Sequence, residues 1–219
     1  MHTFSSPFSS FRSAARIAAR LAVAAALLAA MVATPARSNA QTPDADALKP
    51  PAGARVAIVE FGDLQCPACA HANPLLKQAA AKYGIPWVRH DFLIPYHNWS
   101  KYAAVDARWF DTKNKALGDE YRDEVFANQR SIETPDQLSQ FTQKYAQSHG
   151  VALPFAVDPQ GKLIGEINAD GELGRRLGVS QTPTIYVVTA TSHVKVNNVD
   201  TDLYTTIDQA MASTKMAHK

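Results

Sequence analysis

Two cysteines, Cys66 and Cys69, are the only thiols in the 219-residue chain, and two residues separate them. Thiols at this spacing can close a small disulfide, exchange it with other thiols, or share a metal ion. A four-cysteine zinc site or a disulfide framework needs partners that this chain lacks. Haem attachment needs a histidine directly after the second cysteine, and here Ala70 precedes His71. The context favours exchange. Cys66-Pro67-Ala68-Cys69 follows a strand-like run and opens a run of helix formers. At a helix start the backbone N–H groups point outward and the dipole is positive, which favours a thiolate on the first cysteine. The second lies one turn deeper, where it can attack a mixed disulfide and release its cargo. Pro67 suits the first helical turn, where its missing N–H would be unpaired anyway. Cys66 is therefore expected as the exposed nucleophile and Cys69 as the buried resolving thiol.

The elements that must position this pair can be read from pattern. Residues 55–61 (RVAIVEF) form a short β-branched run of the buried-strand kind, and residues 62–65 turn the chain into the cysteines. Helix formers continue to Tyr83, with Pro74 inside the pattern as an expected kink and Gly84 as a stop. Residues 87–92 read as the next strand, which completes a right-handed βαβ unit with parallel strands. Helical patterns follow at residues 98–110, 118–129 and 134–149. The third has a capping box from Thr134 and Gln137 with Pro135 at the first position. A further helix is expected from an Asp158-Pro159 cap to Leu177, although four glycines weaken it. Residues 184–188 and 193–199 should pair as an antiparallel hairpin, followed by a final helix from Thr201 or Asp202 to about Met211. The order βαβ, helical block, ββα predicts an α/β thioredoxin-like fold with a mixed central sheet and a helical insertion at about residues 97–177.

The first 40 residues differ in character from the rest. They carry Arg12, Arg16, Arg20 and Arg37 with no acid, and an apolar run at 21–33 too short to span a bilayer. Small residues follow, and Ser38-Asn39-Ala40 fits a signal-peptidase site. Residues 1–40 are read as a signal peptide, with an uncleaved anchor as the other reading. Residues 41–53, polar and proline-rich, read as a flexible lead-in to a domain at 54–219. The formal charge of +2 belongs to the leader, since the remainder has 18 basic against 20 acidic residues. That balance gives no nucleic-acid footprint. His90, His97 and His149 fall on separate expected elements without ligand spacing, so no metal is expected there. Trp87, Trp99 and Trp109 read as packing residues.

Two segments resemble a known family. Val59-Glu60-Phe61-Gly62-Asp63-Leu64-Gln65-Cys66-Pro67-Ala68-Cys69 is similar to the active-site segment of the DsbA family of bacterial thiol–disulfide oxidoreductases. Gly178-Val179-Ser180-Gln181-Thr182-Pro183-Thr184 resembles that family's cis-proline loop. Phe92-Leu93-Ile94-Pro95, His97 and Phe126-Ala127-Asn128-Gln129 are similar to parts of its helical insertion. The resemblance implies that Cys66 and Cys69 are the redox pair and that Thr182-Pro183 faces them, Pro183 in cis and the Thr182 backbone open to an extended peptide. From local sequence alone, an ordinary trans turn is the better reading of Pro183. Glu60 matches the family's buried acid, which would accept the proton of the deeper thiol; the alternative is a solvent-facing glutamate at a strand end. Arg89 is a candidate partner for that acid or a surface arginine. Pro67 and Ala68 would border the nucleophile.

The leader places the expected enzyme outside the cytoplasmic membrane, in a periplasm. It is expected to act on protein thiols as a monomer, with no cofactor beyond its own disulfide, and the resemblance implies reoxidation by a membrane quinone-linked oxidase. The compartment could equally be the outer face of a single membrane. Well-known oxidants of the family carry histidine where this chain has Ala68, so a milder oxidant is expected. His71 lies on the same helix and is expected to be solvated. Run in reverse, the same pair gives a reductase or isomerase. A thioredoxin-like peptide-binding chaperone with a non-catalytic disulfide is the alternative function, and a two-thiolate metal carrier a third.

Overall fold

The computed structural model describes residues 47–216. The expected signal peptide, residues 41–46 of the lead-in and the last three residues lie outside the described part.

The central strand owes its position to a run that is apolar on both faces. In β1 (Val56–Gly62) the side chains of Val56 and Ile58 enter a cluster with Leu76, Ala79, Leu203 and Ile207, whereas Ala57, Val59 and Phe61 enter another with Phe92, Tyr186 and Val188. A strand covered on both sides has no polar face. Alternation then decides where Glu60 goes. It shares the face of Val56 and Ile58, which lies under the helix that begins at the cysteines.

That helix, α1 (Pro67–Tyr83), stops where Gly84 takes the left-handed conformation (φ 61°) and returns its N–H to Ala80 and Ala81. Strand β2 (Trp87–Asp91) pairs parallel to β1, placing Arg89 beside Glu60 and His90 beside Phe61. After the helical segment, β3 (Thr184–Thr189) pairs antiparallel to the other edge of β1, and β4 (His193–Val196) pairs with β3. The sheet order β2-β1-β3-β4 is that of a thioredoxin-like fold, as expected.

Four helices fill the interval: α2 (Ser100–Lys113), α3 (Lys115–Asn128), α4 (Pro135–Ser148) and α5 (Lys162–Arg176). The capping box of α4 forms as read, with Thr134 accepting from the Gln137 N–H and Gln137 reaching back. The core of this lobe is aromatic, Phe110 lying 4.8 Å from Tyr121 and 5.1 Å from Tyr145 between ring centroids.

Three expectations need correction. The lead-in is not loose throughout: Leu48 is 5% exposed and joins the Val59 and Phe61 cluster, so one leucine anchors an otherwise polar stretch. Helix α5 begins at Lys162, not at Asp158, because Gly161 takes φ 69° and turns the chain. Asp158 still caps, its carboxylate accepting the Ile164 N–H at 2.9 Å. Helix α6 (Val199–Met216) starts before Thr201, since Asn198 accepts the Asp200 N–H and Asp202 accepts the Asn198 N–H. That cap also shortens the preceding strand. The glycines that weakened α5 include one with a packing role: a β-carbon on Gly174 would stand 2.6 Å from the Phe92 ring, so glycine lets α5 close onto the sheet.

Candidate active site

Cys66 occupies the N-cap of α1 in extended conformation with Pro67 at the first turn, which leaves the opening N–H groups free to face its sulfur. The sulfurs are free thiols. Cys66 is 7% exposed, Cys69 fully buried, and Pro67 and Ala68 lie on the surface beside the first.

The Thr182–Pro183 peptide bond is cis, and its loop faces the pair. The Cys66 thiol donates to the Thr182 carbonyl at 3.3 Å across 116 residues of sequence. The Cys66 pKa is pushed down to about 5. The largest cause is a hydrogen bond from the Cys69 thiol; burial opposes it, and the Thr182 side chain and the N–H groups of Cys69 and Ala68 add to the lowering. Cys69 moves the other way. Its hydrogen bond to Cys66, then burial, then the charge of Glu60 hold its proton on.

Glu60 lies beneath, 4% exposed, and burial raises its pKa to about 7 against the opposing pull of Arg89 and of a hydrogen bond from Trp87. The Trp87 indole N–H donates to its Oε2 at 3.0 Å. The Arg89 guanidinium stacks 3.6 Å above the Trp87 ring and donates to Asp119 at 2.5 Å. Gly62 makes room for the acid, since a β-carbon there would stand 3.1 Å from Glu60 Oε1. A cavity of about 270 Å³ opens on Glu60, walled by Trp87, Arg89, Arg108 and Arg122.

The structure thus brings Cys66, Cys69, Glu60, Pro67, Ala68, Thr182 and Pro183 into one site. Three histidines have partners away from the sulfurs, whereas His97 Nδ1 lies 3.0 Å from the Asp63 carboxylate. His71 pairs with Asp200 on α6 at 2.9 Å, His90 with Asp170 at 2.8 Å, and His149 with the Tyr145 carbonyl at 2.8 Å. Among the described residues no group of three or more histidine, cysteine or acidic side chains is arranged to hold a metal.

Sequence reasoning passed over the side chains of the turn itself. Asp63 is 2% exposed and its carboxylate accepts the Gln65 N–H at 2.7 Å. Gln65 in turn accepts the N–H groups of Trp99 and Ser100 at 2.8 and 3.1 Å. Gln129, at the end of α3, donates to the carbonyls of Leu64 and Cys66 at 2.9 and 3.1 Å. The available hint was an aspartate two residues before a glutamine in a tight turn, the pattern of an Asx-turn.

Comparison with known proteins agrees with this architecture. The family model described as thioredoxin matches residues 52–209. The thiol-disulfide exchange protein α-DsbA2 of Wolbachia pipientis is 20% identical, with a TM-score of 0.59 over 74% of this chain and 84% of its own. BdbD of Bacillus subtilis is 19% identical, with a TM-score of 0.59 over 76% and 90%. Among curated proteins, the Na(+)/H(+) antiporter NhaA 3 of Salinispora tropica is 28% identical over 151 residues, 66% of this chain but 22% of the antiporter. The chain therefore spans about a fifth of the length of that relative. With the family model covering most of the described residues and the sheet, cysteine helix and cis-proline loop in place, the chain belongs to the thioredoxin family and has the fold of the DsbA proteins.

Proposed function

We propose that the chain is an exported protein thiol–disulfide oxidoreductase that donates the Cys66–Cys69 disulfide to substrate thiols. The observation that carries this reading is the placement of the pair: Cys66 at the helix N-cap, 7% exposed, with its thiol on the Thr182 carbonyl of the cis-proline loop, and Cys69 fully buried. This geometry accompanies a Cys66 pKa pushed down to about 5 and a Cys69 proton held on.

In the oxidised enzyme a substrate thiolate attacks the Cys66 sulfur. A mixed disulfide forms, the Cys66–Cys69 bond breaks, and Cys69 leaves as a thiolate. Buried beside that anion, Glu60 still holds a proton near neutral pH and gives it up to Cys69. A second substrate thiolate then attacks the substrate's own sulfur in the mixed disulfide, and Cys66 leaves as a stabilised anion. Two electrons pass from the substrate to the pair, and the substrate gains a disulfide. The Thr182 hydroxyl, buried and without an aligned partner in the dithiol, gains an acceptor in that anion. The exposed Pro67 and Ala68, and Thr182 with Pro183 opposite, form the rim where an extended peptide would lie.

A thiol that readily ionises stabilises the reduced form, which makes the disulfide oxidising. The Cys66 value of about 5 falls between roughly 3.5 for the strongest oxidants of this kind and about 7 for thioredoxin. A milder oxidant follows, consistent with Ala68 supplying no charge. Equilibration with glutathione is expected to give a potential between about −120 and −270 mV, and a value at the oxidising end of that interval contradicts the milder reading. The pair needs reoxidation, for which a membrane quinone-linked oxidase is the proposed partner. The chain acts as a monomer in the periplasm or on the outer face of a single membrane.

Trapping tests the reading. Cys69→Ala removes the resolving thiol, so Cys66 should retain covalent adducts of cellular proteins that dithiothreitol releases. A Cys69→Ala protein that folds, keeps Cys66 reactive and accumulates no adducts contradicts it.

A further inference from the structure

We propose that Asp63 is the positioning residue of the thiol pair: its main chain registers both sulfurs while its buried carboxylate clamps that main chain to the helical lobe. The inference rests on the oxidoreductase reading above and adds to it a residue that neither exchanges electrons nor carries the proton.

Asp63 follows β1, three residues before Cys66. Its carbonyl accepts the Cys66 N–H at 3.0 Å. Its own N–H lies near enough the Cys69 sulfur to lower that thiol's pKa slightly, against the larger causes that raise it. One residue thus touches both halves of the redox pair through its backbone. The side chain is held from the other direction. Its carboxylate has no solvent exposure, and Oδ1 accepts the Gln65 N–H at 2.7 Å. Oδ2 accepts the Ile94 N–H at 2.8 Å and the Ser100 hydroxyl at 2.9 Å. His97 Nδ1 lies 3.0 Å from the same oxygen, without hydrogen-bond alignment.

A buried carboxylate persists only where donors and opposite charge replace its water. Three of its four neighbours come from the segment that leads from β2 into the first turn of α2. Fixing Asp63 therefore fixes the 63–66 turn against that segment, and with it the place of Cys66 at the helix start, facing the Thr182 carbonyl and its buried partner Cys69, on which its acidity depends. Glu60, in β1 three residues before Asp63, already accounts for the proton.

Two effects of removing the carboxylate have opposite signs, and this makes the test decisive. Loss of a nearby negative charge alone would make Cys66 more acidic. Loss of positioning would make it less acidic. The test is iodoacetamide alkylation of Cys66 as a function of pH in the reduced full chain, for wild type, Asp63→Asn and Ser100→Ala, with circular dichroism as the check on folding. In Asp63→Asn the amide matches one oxygen's donors but meets the others with its own N–H groups. Its alkylation midpoint should rise by about one pH unit or more, a roughly tenfold loss of thiolate below the midpoint. Ser100→Ala keeps the charge and removes one donor, so its midpoint should rise by less. An unchanged or lowered midpoint in folded Asp63→Asn overturns the proposal. Should Asp63→Asn fail to fold, an unchanged midpoint in folded Ser100→Ala overturns it instead. A wild-type midpoint in the ordinary thiol range would sink the oxidoreductase reading, which is a different failure.

Discussion

At the residue scale, the site works by setting three titratable groups apart within one small volume. Cys66 is pushed down to about 5, Glu60 up to about 7, and Cys69 higher still, and hydrogen bonding or burial is the first cause in each case. Glu60 links this arrangement to stability. It holds its proton in the fold up to about pH 7, against 4.5 for an ordinary glutamate. The contribution to folding is therefore complete below pH 4.5 and is lost as pH rises to about 7, by up to about 3 kcal/mol. Glu60→Gln cannot titrate. Urea unfolding of the reduced protein across this range should show the variant gaining on the wild type as pH rises. Curves that stay parallel would show that the acid is not perturbed. Near pH 7 the same variant should exchange thiols at least about tenfold more slowly, because Cys69 loses its proton partner.

Much of the chemistry could be read from residue types alone: the cysteine spacing, Glu60 on the alternation of β1, and Thr182-Pro183 through its resemblance. What could not be read were contacts made across the fold. Asp63 meets Ile94 and Ser100, and Gln129 meets Leu64, over separations of 31 to 65 residues that no local pattern encodes.

At the element scale, strands and helices were found in the right order, and the errors gathered where a side chain caps at a distance. Asp158 lies three residues before the glycine that opens α5, yet it caps from there. Asp202 accepts the Asn198 N–H and Asn198 accepts the Asp200 N–H, and together they start α6 earlier than its apolar pattern does. Composition misled most in the lead-in, where prolines and acids hid one buried leucine. Leu48→Ala should lower stability by roughly 2 kcal/mol or more, since it empties a position in the cluster under the central strand. It should leave Cys66 reactivity unchanged, because that cluster lies on the face opposite Glu60. Thermal unfolding with parallel thiol titration checks both, and a change in reactivity at unaltered stability would contradict this division of faces.

At the scale of the whole molecule, the sheet lobe supplies the acid and the cis-proline loop, the helical lobe supplies the contacts that hold the turn, and the cysteines lie where the two meet. Gln65, Gln129 and Asp63 all cross that junction with hydrogen bonds to or from the turn. Such an insertion does more than decorate the fold: it takes up the polar groups of the turn, and a fixed turn keeps Cys66 at the helix start facing the Thr182 carbonyl. All of this converges on a single quantity, the acidity of the outer thiol. The most direct measurement is the rate of Cys66 alkylation by iodoacetamide in the reduced wild-type chain from pH 3 to 10. A midpoint near pH 5 is the predicted result. A midpoint near 9, the value of an unperturbed thiol, would contradict the account.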